Sequence, residues 1–244
     1  MDAAEYALMD AVEDRMWWYR ALRSRIVAAL AGRPGAEGAL LDAGCGTGGM
    51  AATLLAAGTT RPIIGFDYVT EAAQRAAAKT GLPVAVGDIT RQPFRDASFG
   101  AAISLDVLGH RAVQPADALA ELHRVLAPGG TLVMNLPAFE WLRSAHDERV
   151  HNARRFSAPS IRTLLEAAGF VDIDARYWNA FLLPLMILQR KVLARKKDGA
   201  SDVAPFPPWL DATLHRVTVL EHWLARRGLA YPAGGSVLVV ATRP

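Results

Sequence analysis

Cysteine is nearly absent: Cys45 is the only one in 244 residues. That excludes an intramolecular disulfide framework and fits a cytoplasmic compartment. Charge is scarce too, at 21% Asp, Glu, Lys and Arg, with a net charge of only +3. No basic tail interleaved with aromatics is present, so nucleic acid is not an expected partner. The first 14 residues are acidic and lack a basic stretch followed by an apolar core, so no signal peptide is expected. The apolar run at 181–188 is far shorter than the roughly 20 residues that span a bilayer. Internal repeats and low-complexity tracts are missing as well.

What is present is a core-forming composition, 52% hydrophobic. Short apolar runs alternate with helical patterns. Strands are expected at 39–43, 62–66, 83–86, 100–105, 131–136, 170–177 and 236–241, and helices at 49–57, 70–80, 115–126, 158–168 and 211–227. This alternation predicts an α/β fold with βαβ crossovers and a parallel sheet covered on both faces. Residues 5–30 read as one amphipathic helix carrying Trp17-Trp18-Tyr19. The chain is read as a single domain: a helical cap at 1–32, a core at 39–177, a helical insertion at 178–230 and a final strand within 231–244.

The run Leu40-Leu41-Asp42-Ala43-Gly44-Cys45-Gly46-Thr47-Gly48-Gly49 predicts a buried strand, a tight turn and a helix start. Glycines at 44, 46 and 48 let the backbone turn sharply and approach a ligand closely. Cys45 reads as a small residue fitting that turn. A dinucleotide fingerprint wants G-x-G-x-x-G; here the third glycine comes one residue early. Strand two ends at Asp67-Tyr68, where an acid can accept hydrogen bonds from vicinal ribose hydroxyls. Val86-Gly87-Asp88-Ile89 follows the third strand. Pro93-Phe94-Arg95-Asp96-Ala97-Ser98-Phe99-Gly100 enters the fourth, and Leu105-Asp106-Val107-Leu108-Gly109-His110 leaves it. Glu121-Leu122-His123-Arg124-Val125-Leu126-Ala127-Pro128-Gly129-Gly130 precedes the fifth.

These elements, across residues 39–136, resemble the class I S-adenosylmethionine (SAM)-dependent methyltransferases of small-molecule and lipid type. The resemblance implies a Rossmann-like seven-stranded sheet, mostly parallel with the last strand antiparallel. It implies SAM as cofactor and S-adenosylhomocysteine as product. Asp42, Gly44, Gly46 and Gly48 would surround the methionine end. Asp67 would hold the ribose, Tyr68 would lie beside the adenine, Asp88 and Ile89 at its edge, and Leu105 near the sulfonium. From the cap, Tyr19 and Arg23 are candidates for the cofactor carboxylate.

Methyl transfer is an in-line displacement, so the protein chiefly aligns the acceptor; a hydroxyl or acidic carbon also needs a base. Candidate bases are His110, His146 and His151, histidine being the side chain suited to neutral pH. The family often has Glu-His where this chain has Gly109-His110. Arg154 and Arg155, in an "H-RRF" element, are candidates for binding an acceptor anion. His146, Asp147 and His151 have only generic spacing, so no metal is expected. The expected activity is methylation of a small-molecule or lipid-like acceptor, at oxygen before carbon or nitrogen. The alternatives are a non-catalytic SAM-binding module and an NAD-type oxidoreductase. The apolar-then-basic segment 181–197 is a candidate for peripheral membrane contact or for a homodimer interface.

Overall fold

The computed structural model describes residues 3–189 and 206–244. Among them, seven strands form one sheet: β1 Ala39–Ala43, β2 Ile63–Asp67, β3 Val84–Val86, β4 Phe99–Leu105, β5 Leu126–Pro137, β6 Val171–Trp178 and β7 Ser236–Thr242. Their order is β3-β2-β1-β4-β5-β7-β6. β7 runs antiparallel to β5 and β6, and the other pairings are parallel. The helices are α1 Ala3–Val12, α2 Trp17–Gly32, α3 Gly49–Ala56, α4 Thr70–Thr80, α5 Pro115–Val125, α6 Ala145–Arg149, α7 Ala158–Ala167, α8 Leu183–Ile187 and α9 Pro208–Arg226.

Neighbouring strand residues divide between two cores. Leu40, Ala101 and Val133 join α2 and α3 through Leu22, Ile26 and Leu54. Leu41, Ala102 and Leu132 join α5 and α7 through Leu119, Leu122, Ile161 and Leu165. Successive side chains point to opposite faces of a strand, so an uninterrupted apolar run means both faces are covered.

The cap differs from expectation. Instead of one helix over 5–30, the chain breaks at 13–16, with Met16 extended at φ −65°, ψ 131°. Two acids explain the break. The Trp17 N–H, which the α1 turn would otherwise have occupied, donates to Asp211 of α9 at 2.7 Å. Glu13 is drawn toward the glycine turn, where it accepts from Thr47 and pairs with Arg23. Tertiary partners outbid local helix propensity here. β5 also begins five residues before the expected Thr131. Its first pair is Phe99 with Leu126 and its next is Ala101 with Thr131, so the Pro128-Gly129-Gly130 stretch is looped out as an irregularity within the strand.

Of the insertion, α8 and α9 are described. The expected segment 181–197 is described only to residue 189, and most of the loop expected at 199–208 lies outside the described residues. No helix among the described residues is long and apolar enough to cross a membrane. From β1 the chain builds outward to β2 and β3, then returns to β4 and β5 on the other side. That reversal leaves a crevice beyond the carboxyl ends of β1 and β4.

Candidate active site

The glycine turn lies at that crevice. Gly44, Gly46 and Gly48 all take positive φ, at 84°, 54° and 86°. At Gly44 the requirement is double, since a Cβ there would also stand 2.2 Å from Val107 Cγ2. The turn is tied to β2: the N–H groups of Gly44 and Cys45 both donate to the Phe66 carbonyl, at 2.7 and 3.0 Å. Asp67 completes the tie, its Oδ2 accepting from the Gly46 N–H (2.8 Å) and its Oδ1 from the Val69 N–H (2.9 Å). Burial holds the Asp67 carboxyl above its ordinary range against these bonds. Asp42 is 1% exposed and its Oδ2 has no hydrogen-bond partner among the described residues. Burial, with Asp67 and Glu13 nearby, pushes its carboxyl up to about 7. The Cys45 thiol is buried and pushed up by desolvation, so it is a packing residue and no thiolate.

The other cofactor candidates take distinct settings. Tyr68 is 71% exposed, so its ring is not part of the core. Asp88 Oδ1 accepts from both the backbone and the hydroxyl of Thr90 at 2.8 Å, and Ile89 is buried. Leu105 packs, half-buried, against the α2–α3 core. Helix α1 lies across the turn: a Cβ on Gly46 would meet Met9 Cε at 3.1 Å. The Tyr6 hydroxyl, buried near Asp67 and Cys45, is pushed well up. Arg23 is buried beside Gly49, where its guanidinium binds Glu13 Oε2 (2.6 Å) and Asp14 Oδ1 (3.0 Å). Tyr19 lies near it, with Arg23 Cζ 5.9 Å from the ring centroid. Glu13 also takes the Thr47 hydroxyl at 2.6 Å and the Lys79 ammonium. Sequence reading did not single out Glu13, which lies within the acidic first 14 residues.

The candidate acceptor side comprises the segment after β4 and residues 138–156. His110 and His151 come together, ring centroids 5.7 Å apart. Burial, with His151 and Arg111 nearby, pushes the His110 ring down to about 4. Its Nδ1 accepts from the Ala112 N–H at 3.3 Å, so the neutral ring carries its proton on Nε2 and is a donor at pH 7. His146 sits on α6. Its neighbour Asp147 is spent: Arg155 grips both its oxygens (3.0 and 2.8 Å), and Ser144 and Asn152 also donate to it. Among the described residues no group of three or more His, Cys, Asp or Glu could hold a metal ion. Arg155 is 8% exposed and also donates to the Ala138 carbonyl. Arg154 donates to the carbonyls of His110 (3.2 Å) and Val113 (2.9 Å). Gly109 is a packing requirement: an added Cβ would stand 2.0 Å from Asn152 Oδ1. The space an acid would use at 109 is filled by Asn152.

Asp106, unnoticed in the sequence as a site residue, ends β4. It takes positive φ, 59°, which places it in the left-handed region that Asp tolerates. Asn135 Nδ2 donates to both its oxygens, at 3.0 and 3.1 Å, and the Trp178 indole N–H in turn donates to Asn135 Oδ1 at 2.8 Å. Burial pushes the Asp106 carboxyl up to about 7. The available signal was Asn135 itself, a polar residue inside the apolar run 131–136 that had to have a partner.

A pH prediction follows from Asp42. A carboxyl whose pKa is raised on folding stabilises the fold when protonated, and that contribution is lost as pH rises through about 7. His110 and His222, pushed down to about 4, act in the opposite sense below pH 6.5. Comparison with the parent cancels them. Asp42→Asn is therefore expected to gain stability relative to the parent between pH 5 and 8, by about 2 kcal/mol. Urea melts at three pH values measure it; a constant difference would refute the raised pKa.

Comparisons with known proteins bear on the domain and the fold. Residues 41–134 match the family model of a methyltransferase domain. The rice (Oryza sativa subsp. japonica) 24-methylenesterol C-methyltransferase 2 is 32% identical over 166 residues, covering 62% of this chain and 44% of that enzyme. The ubiquinone/menaquinone biosynthesis C-methyltransferase of Desulfotalea psychrophila is 34% identical over 138 residues, covering 54% and 53%. The chain thus spans about half the length of these curated relatives. Geranyl diphosphate C-methyltransferase from Streptomyces coelicolor A3(2), solved with S-adenosyl-L-homocysteine, superposes with a TM-score of 0.61 at 13% identity, covering 93% of this chain and 76% of that one. Residues 41–134 are thus similar to a methyltransferase domain, and the chain as a whole shares the fold of a solved methyltransferase.

Proposed function

We propose that this protein transfers a methyl group from SAM to a small-molecule or lipid-like acceptor. The carrying observation is the glycine turn flanked by two buried carboxylates, one of which, Asp42, has an oxygen with no donor. An amine at the methionine end of SAM would supply that donor. Asp67 keeps acceptor capacity for the ribose, since each of its oxygens takes one backbone bond and a carboxylate oxygen has two lone-pair sites. Tyr68 would offer its open ring to the adenine, with Asp88 and Ile89 at its edge and Leu105 near the sulfonium. Tyr19 and Arg23 stand at the far end of the turn, where Glu13 and Asp14 already hold the Arg23 guanidinium, and α1 lies across it. When bound, SAM supplies an electrophilic methyl on a positively charged sulfur.

The chain's remaining task is the acceptor proton. O-methylation, expected from the sequence, and C-methylation, named for both curated relatives, each require a proton to leave the acceptor. Asp106 takes it, with its pKa near neutrality and its carboxylate held by Asn135. His110 serves as a hydrogen-bond donor that orients the acceptor. Arg154 and Arg155 brace the acceptor-side backbone. The sterol and quinone chemistry in the relatives' names supports a lipid-like acceptor.

Isothermal calorimetry with SAM, S-adenosylhomocysteine and NADH tests the cofactor. Micromolar binding of the first two without the third is expected. Binding of NADH alone would convert the reading to an oxidoreductase, and SAM binding without turnover on any acceptor would leave a binding module.

A further inference from the structure

Helix α9 uses its two faces very differently. Its inner face packs on α2, and both of its acids are consumed there. Asp211 accepts from the Trp17 N–H and pairs with Arg20 at 2.5 Å. Glu221, 1% exposed, pairs with Arg25 and accepts from the N–H groups of Asn179, Ala180 and Phe181. The outer face keeps no acid. It presents Trp209 (70% exposed), Arg216, Val219, Leu220, Trp223 and Arg227, at the three- and four-residue spacing of one helical stripe. The Arg227 guanidinium lies 3.4 Å from the Trp223 ring centroid. Two open tryptophans beside aliphatic side chains are costly in water and mark an interaction surface.

We infer that the outer stripe of α9 docks on an anionic lipid surface. Three properties favour that occupant. Tryptophan is suited to the bilayer interface, where one edge of the ring is apolar and the other is wet. Arginine lays its stem along apolar surface while its charge meets lipid phosphates. The stripe combines both with no acid, the composition of a helix that lies in the plane of the interface. A second copy of the chain fits poorly, because a two-fold contact centred between Leu220 and Trp223 would set Arg216 of one copy against Arg227 of the other. The inference is independent of the methyl-transfer reading, since α9 contacts the cap and residues 179–181 rather than the glycine turn.

Vesicle flotation of the full chain tests it, using vesicles of phosphatidylcholine alone and of phosphatidylcholine with an equal part of phosphatidylglycerol, at about 0.15 M salt. The parent is expected to float with the anionic vesicles at least about tenfold more than with the neutral ones. Leu220→Ser with Trp223→Ser, and separately Arg216→Glu with Arg227→Glu, should each lose at least about tenfold of that binding. All four positions are solvent-facing, so thermal melts and SAM binding should match the parent. Failure of the parent to float overturns the proposal. Full binding by both double variants also overturns it, and would move any membrane contact to residues 181–197. Parent self-association without vesicles, lost in the apolar variant, would make the stripe a dimer interface instead. Capture by an acidic protein with no flotation would make it a protein-docking surface.

Discussion

Asp67→Ala is expected to abolish measurable SAM binding, with at least a 100-fold loss of affinity by calorimetry. Hydrogen bonds to a charged acceptor are worth about 1.5–3 kcal/mol each, and two of them to vicinal hydroxyls exceed the 2.8 kcal/mol that 100-fold requires. The structure adds a second contribution. Asp67 also accepts from the Gly46 and Val69 N–H groups, so truncation frees the turn as well as removing the ligand contact. Asp67→Asn separates the two. The amide keeps one acceptor oxygen but turns a donor toward the other N–H, so it loosens the turn while retaining part of the ribose contact. Binding is expected in the order parent, then Asn, then Ala, with melting temperatures of the two variants close together. Parent-like affinity in Asp67→Ala would remove the cofactor from this turn.

The two sides of the site were not equally legible in the sequence. The proposed cofactor side is made of residues adjacent in the chain to strand ends, and the glycine spacing at 44, 46 and 48 reports backbone geometry directly. Strand registry then brings Asp67 to Gly46 with no further information needed. The acceptor side depends on contacts across about 40 residues, such as Arg154 on the His110 carbonyl and Asn152 against Gly109. No local pattern announces these. The "H-RRF" arginines looked like an anion clamp because Arg forks suit anions, but the fork of Arg155 is closed by Asp147, eight residues earlier in the chain. Gly109 looked like the loss of a functional acid, whereas Asn152 requires the absence of a side chain there. The cap was misread for the same reason: α1 and α2 are separated by Glu13 and Asp211, which act over 34 and 194 residues.

Asp106→Asn is expected to leave SAM binding within about threefold of the parent and to lower kcat by 10²- to 10⁴-fold, the range for removal of a positioned general base. The substitution is nearly isosteric, and Asn135 can turn its amide to pair with the new one, so the fold is expected to persist. The pH profile identifies the role. A base must be deprotonated to act, so the parent's kcat/KM is expected to rise with pH through about 7, the value to which burial pushes this carboxyl. In kcat the limb should sit lower, because a cation bound at the glycine turn favours the carboxylate. Asp106→Asn should lack the limb altogether. His110→Ala supplies the contrast. Its ring is neutral above pH 4 and acts as a donor, so its loss should cost roughly tenfold in turnover, the worth of one neutral hydrogen bond, and leave the limb in place. If the limb instead vanished with His110 and survived in Asp106→Asn, the proton would pass to the histidine and Asp106 would be a positioning group held by Asn135.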